Sequence, residues 1–189
     1  MKQDKKKSKA LKIIGGFFLA FFLVCVLGIG TMISIMSSMN KEYSSREVII
    51  GNGEKKALVI YEPSKSGIVK EMSLEMANKI ANSGYTVTVN VPSKKLIYSW
   101  DEYDIIALGS PVYGGKVSGV LEEYVTQNQT SHKKIIMYCI GSNIEDQEEP
   151  AYMRTWIPDT NKTVALKGIK KDKETFYQSI DQLMKEWNQ

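Results

Sequence analysis

From Ala57 onward the apolar residues fall into two kinds of run that alternate, and this restricts the fold more than any other property of the chain. "ALVIY" (57–61), the centre of "YDIIALGS" (103–110) and "KKIIMYCIGSN" (133–143) are short continuous apolar stretches. "YTVTVNV" (85–91) alternates β-branched with polar residues, and "KTVALKGI" (162–169) supplies a last strand. Between them lie helical stripes: Ile68, Met72, Met76 and Ile80 at intervals of four, "GVLEEYVTQ" (119–127), and Phe176, Ile180, Leu183, Met184 and Trp187. Strands that are apolar throughout are covered on both faces, and strands alternating with helices join as parallel βαβ units. The expectation is an α/β fold: a doubly wound, five-stranded parallel sheet over 57–189. A regular helix finds little room between Asn143 and the last strand.

Leu11 to Met36 is apolar on every helical face and carries no charge after Lys12. At ~1.5 Å rise per residue it is long enough to cross a hydrocarbon layer ~30 Å thick. Six lysines against Asp4 precede or open it, so the positive-inside rule puts the N-terminus in the cytoplasm and the domain outside. The domains read as a basic cytoplasmic tail (1–10), a transmembrane helix (11–36), a linker (37–56) and the α/β domain (57–189). Within the linker, "REVII" is either a short strand or a packed segment. A cleaved signal peptide is the competing reading, but the apolar run exceeds the usual ~7–15 residues and lacks a small-x-small site. Cys25 follows Val24, where a lipoprotein would carry a small residue.

The formal net charge of +4 is concentrated in the lysine tail, which suits anionic lipid headgroups and gives no footprint for nucleic acid. Two separated cysteines and one histidine provide neither a disulfide framework nor metal-ligand spacing. His132 reads as a solvated loop residue.

Three strand exits are unusual in composition. In "YEPSKSGIVK" (61–70) the chain leaves a strand through Ser64, Lys65, Ser66 and Gly67 and enters a helix. Backbone N–H groups and the helix dipole converge there on an anion, and the hydroxyls add donors. Taken alone, such a turn is more often a cap than a ligand site. It is not a Walker A loop, and the nearby G-x-G precedes the strand, so neither triphosphate hydrolysis nor dinucleotide binding is indicated. "GSPVYGG" (109–115) presents Tyr113 beside Pro111 and two glycines, an aromatic face for a planar ligand. "IGSN" (140–143) brings a glycine and two short polar side chains to the same edge.

Together "YEPSKSGIVKEM", "ALGSPVYGG" and "CIGSN" resemble the phosphate loop and two isoalloxazine loops of the flavodoxin-like family. The resemblance implies strand order 2-1-3-4-5 with FMN as cofactor. It implies that Ser64, Lys65, Ser66, Gly67, Ile68 and Val69 surround the FMN phosphate. Ser110, Pro111, Val112, Tyr113, Gly114 and Gly115 then flank one side of the ring, and Gly141, Ser142 and Asn143 the other. Val69 stands where the family commonly has a hydroxyl, a loss of ~0.5–1.5 kcal/mol for one neutral hydrogen bond. The third strand ends in Gly109-Ser110 rather than a phosphorylatable Asp, which sets a receiver domain aside.

The function expected is a membrane-anchored FMN protein in electron transfer or oxidoreduction, bound to lipid through its N-terminal helix and serving a redox partner protein or a small-molecule acceptor. No catalytic acid or base is expected. The alternative is a flavin-free, membrane-tethered binding module on the same fold. Trp156 is expected to pack on the sheet, and Glu145, Asp146, Glu148 and Glu149 to form a solvated acidic run.

Overall fold

The computed structural model describes residues 19–31, 43–93, 95–96, 98–128, 131 and 133–189. The chain divides into two compact units, Met1–Ser38 and Met39–Gln189. In the first, residues 19–31 form helix α1, whose apolar side chains, among them Phe21, Phe22 and Leu27, are exposed. Among the described residues no helix is long and apolar enough to cross a membrane. The expected span over 11–36 lies partly outside those residues, as do the basic tail 1–10 and His132.

In the second unit the strands are β1 (Val48–Ile50), β2 (Lys55–Tyr61), β3 (Tyr85–Asn90), β4 (Ile105–Pro111), β5 (Lys134–Gly141) and β6 (Lys162–Ile169). They form one six-stranded sheet in the order β1-β3-β2-β4-β5-β6. The five long strands are parallel, with Ala57 opposite Val87 and Ile105, Leu108 opposite Met137, and Met137 opposite Ala165. The expected strand count of five is corrected by β1, which pairs antiparallel with β3, Val48 opposite Val89. An uncovered β3 would leave a row of N–H and C=O groups unpaired, and the short apolar "VII" of the segment read as linker supplies them with partners.

The apolar pattern divides the core between the two faces. Odd-numbered residues of β2 and β4 (Ala57, Val59, Ile105, Ala107) pack against α2 (Ile68–Asn82) and α5 (Lys173–Trp187) through Met72, Met76, Ile80, Phe176 and Ile180. Even-numbered ones (Leu58, Ile60, Ile106, Leu108) pack against α3 (Gly119–Gln127) and α4 (Glu148–Arg154) through Leu121, Val125 and Met153. Trp100, in the 3-10 turn Trp100–Glu102, and a partly buried Trp156 join this second layer. The helix α4 is a correction to the expectation of little room there: seven residues suffice, because Pro150 sits in the first turn, where its missing N–H costs no intrahelical bond.

Candidate functional site

All three unusual exits open at the carboxyl edge of the sheet. The first begins where Glu62 N–H donates to the Gly109 carbonyl at 2.9 Å, holding the end of β2 to the end of β4. The chain then turns through Ser64–Gly67, with Gly67 N–H on the Ser64 carbonyl at 3.0 Å. Gly67 caps α2 in a left-handed conformation (φ 74°) and gives the helix no side-chain cap. A side chain there would be strained, and the space beside its Cα is open to 4 Å. Ser64 turns its hydroxyl inward to accept from Val69 N–H at 3.3 Å and lies 3.2 Å from the Ser66 hydroxyl. Val69 is itself fully buried in the α2 face of the core, which accounts for an apolar residue at that position. Ile68 is half-buried beside it.

The second exit is a two-residue hairpin. Tyr113 and Lys116 pair across Gly114 and Gly115, which both take positive φ (57° and 74°), the backbone that such a tight turn demands. Tyr113 reaches across to the first loop, where its hydroxyl accepts the Lys65 N–H at 3.0 Å. Ser110 and Pro111 belong to β4 and are buried. The Ser110 hydroxyl donates to the Pro111 carbonyl and accepts from Ser118 N–H, both at 2.8 Å, so it braces the hairpin from within. Val112 N–H donates to the Ile140 carbonyl at 3.0 Å and joins the second exit to the third. Gly141 is half-buried beside Val112, and Ser142 and Asn143 are exposed. Asn143 accepts from Glu145 N–H at 3.0 Å, an Asx turn.

Two features of the site went unread in the sequence. Lys167, on β6, is buried and donates to Glu149 Oε2 at 2.6 Å and to the Asp146 carbonyl, with Asp146 Oδ2 at 3.8 Å. This corrects the expectation of a solvated acidic run: Glu149 is buried and ties the start of α4 beneath the third loop. The signal was Lys167 itself, a charge placed between Leu166 and Gly168 in the second half of β6. Cys139 lies against the same group of charges, and burial pushes its thiol up to about 12, which keeps it protonated and unreactive.

The other feature is Glu62, 1% exposed at the root of the first loop. Burial pushes its carboxyl up to about 7, with the Ser118 and Tyr43 hydroxyls drawing it partly back. A carboxyl raised from 4.5 to about 7 binds more protons folded than unfolded in that window, so stability is greatest below the window and falls as pH rises through it. The loss is expected to reach about 3 kcal/mol at full ionisation. Urea unfolding of the wild type and Glu62→Gln between pH 5 and 8 checks this: the slope is expected to flatten in the variant.

The sequence profile of the flavodoxin domain matches residues 58–175, β2 through the start of α5. The chain belongs to the flavodoxin domain family. The flavodoxin domain is similar in structure to a flavodoxin from the domain Archaea (21% identity, 68% of this chain and 93% of that one, TM-score 0.53). It is also similar to the flavodoxin of Streptococcus pneumoniae TIGR4 (19%, 69% and 99%, TM-score 0.53). A third is oxidised Flavodoxin 1 from Bacillus cereus (18%, 69% and 98%, TM-score 0.50). At such identities the likeness concerns the fold. No curated protein matches the chain.

The loops of this flavodoxin domain fit a phosphorylated planar ligand. The start of α2 lacks a side chain on its capping residue and faces open space at Gly67; Ser64 takes the Val69 N–H there, and the other N–H groups of a helix entry suit a phosphate. Tyr113 and the Gly114-Gly115 turn follow β4 and Gly141 ends the neighbouring β5, the two exits being linked by the Val112 N–H on the Ile140 carbonyl.

Proposed function

We propose that this chain binds FMN at the carboxyl edge of its sheet and serves in electron transfer, held at a membrane by its N-terminal apolar segment. The observation that carries the reading is the left-handed entry into α2 at Gly67, a capping residue without a side chain that opens on free space, set at one edge with the two other loops. The backbone N–H groups of Ser66 and Ile68 hold the phosphate, Gly67 turns the chain there with its N–H on the Ser64 carbonyl, Ser64 fixes the loop by bonding Val69 N–H, and Tyr113 covers the ring. Gly141, Ser142 and Asn143 border the ring's other side. Bound FMN supplies one-electron and hydride chemistry, while the chain binds, orients and shields it. The acceptor is a redox partner protein or a small molecule.

Membrane attachment rests on the apolar segment 11–36, uncharged after Lys12 and preceded by lysines, with the N-terminus cytoplasmic and the domain on the far side. Retention in the membrane pellet after an alkaline wash, with the domain cleaved by protease added outside intact cells, is the expected result. Release by the wash, or protection of the domain, counts against it.

A second reading, a flavin-free binding module, draws on the Tyr113 hydroxyl. It takes the Lys65 N–H, a donor that a phosphate oxygen would otherwise receive. Titrating the full-length chain in detergent micelles with FMN decides between the two. Saturable 1:1 quenching of flavin fluorescence is expected, with riboflavin bound at least tenfold more weakly for want of the phosphate contacts, roughly 1.4 kcal/mol or more. No quenching at about 50 µM FMN, half-saturation for a site worth ~6 kcal/mol, leaves the binding module.

A further inference from the structure

We propose that Glu62 couples occupation of the phosphate cradle to uptake of a proton, so that FMN is held more tightly as the pH falls through neutrality. The inference rests on the FMN reading and adds a regulation of the same site.

Glu62 ends the buried part of β2's exit, two residues before Ser64, and is 1% exposed. Its Oε2 has no hydrogen-bond partner, and its Oε1 meets the Tyr43 hydroxyl at 3.4 Å. That hydroxyl is also 3.4 Å from the Pro63 carbonyl, which places the carboxyl at the root of the cradle loop. The side chains that face it come from two elements, Tyr43 from the segment before β1 and Ser118 at the start of α3, while the Glu62 backbone N–H is held by the Gly109 carbonyl of β4. Tyr113 lies beyond Tyr43 and acts on it electrostatically. All three side chains are hydroxyls, and Tyr43 itself is pushed up to about 12 by burial and by Glu62, so it donates a hydrogen bond and carries no charge. Among the described residues no lysine, arginine or histidine makes an ion pair with Glu62.

A buried carboxylate without a cation is already costly, and Glu62 titrates near pH 7 for that reason. A phosphate brings about −1.5 to −2 charges to the loop that begins next to it. Like charges across a poorly solvated loop root penalise the doubly ionised state, so a bound phosphate raises the affinity of Glu62 for a proton. By linkage, protonation of Glu62 raises the affinity for phosphate by the same factor. The ligand's own second ionisation lies near pH 6, so the effect of Glu62 is read above that.

The test is FMN titration of the full-length chain in micelles at pH 6.5, 7.5 and 8.5, for the wild type and for Glu62→Gln. The wild type is expected to lose roughly sixfold in affinity across this range, most of the tenfold limit set by a one-unit rise in the Glu62 midpoint on binding. Glu62→Gln is expected to hold FMN at the wild type's low-pH level throughout. A carbon-13 titration of the Glu62 carboxyl in the wild type, with and without FMN, needs no variant: the midpoint is expected to rise on binding. A pH-independent wild-type affinity, an unchanged midpoint, or an equal slope in Glu62→Gln overturns the coupling and leaves FMN binding standing. Absence of binding at every pH in folded protein overturns the FMN reading and the coupling with it.

Discussion

Ser66→Asp is expected to lower FMN affinity at least a hundredfold while leaving the domain folded. Ser66 is exposed at the crest of the first loop, and its hydroxyl touches only that of Ser64 among the contacts that define the loop. A carboxylate there stands against the ligand phosphate. Two unit charges ~4 Å apart near a protein surface repel by about 4 kcal/mol before salt screening, and a hundredfold loss needs about 2.7 kcal/mol. Ser66→Ala is the control, since it removes one hydroxyl at ~0.5–1.5 kcal/mol. Flavin fluorescence titration gives the affinities, and circular dichroism confirms the fold. Equal affinities for Ser66→Asp and the wild type would place the phosphate elsewhere.

Lys167→Met is expected to cost about 3–5 kcal/mol of stability, because it leaves Glu149 buried without its counter-charge. Lys167 Nζ donates to the Asp146 carbonyl and to Glu149 Oε2, with the Asp146 carboxylate 3.8 Å away, and these groups lie on the segment that follows Asn143. The same variant therefore loosens the third loop, and amide hydrogen exchange over 142–149 is expected to quicken beyond what global destabilisation predicts. Lys167→Met combined with Glu149→Leu removes both charges together and is expected to regain most of the loss, since apolar replacement of a whole buried pair is often neutral or stabilising. Urea denaturation of the three proteins separates these outcomes. A single variant as stable as the wild type would mean that water reaches Glu149.

The parallel strands were legible because their burial on both faces suppresses alternation: "ALVIY", "IIAL" and "IIMYCI" are apolar without interruption, and all lie in the core. Helix α3 and strand β6 fall where their residue patterns place them. The edge strand β1 was ambiguous because Val48 and Ile49 remain exposed. Its pairing depends on the outer side of β3, far along the chain. The burial of Glu149 had no local sign either, since a glutamate within an acidic run looks solvated until its lysine on β6 is known. Similarly, the Tyr113 hydroxyl and Lys65 amide meet across two loops, a contact that neither loop's composition announces.

The position of β1 in the sheet also has a temporal meaning. β1 hydrogen-bonds to β3 alone, and β3 docks on β2 after the α2 crossover. A strand that comes first in the chain thus has nothing to pair with until the first βαβ unit has closed, and non-local pairing of this kind pays its loop-closure entropy late. The earliest of these strands in the chain is therefore placed only after the strand that receives it. During synthesis, the stretch ahead of β2 stays out of the sheet until β3 has emerged.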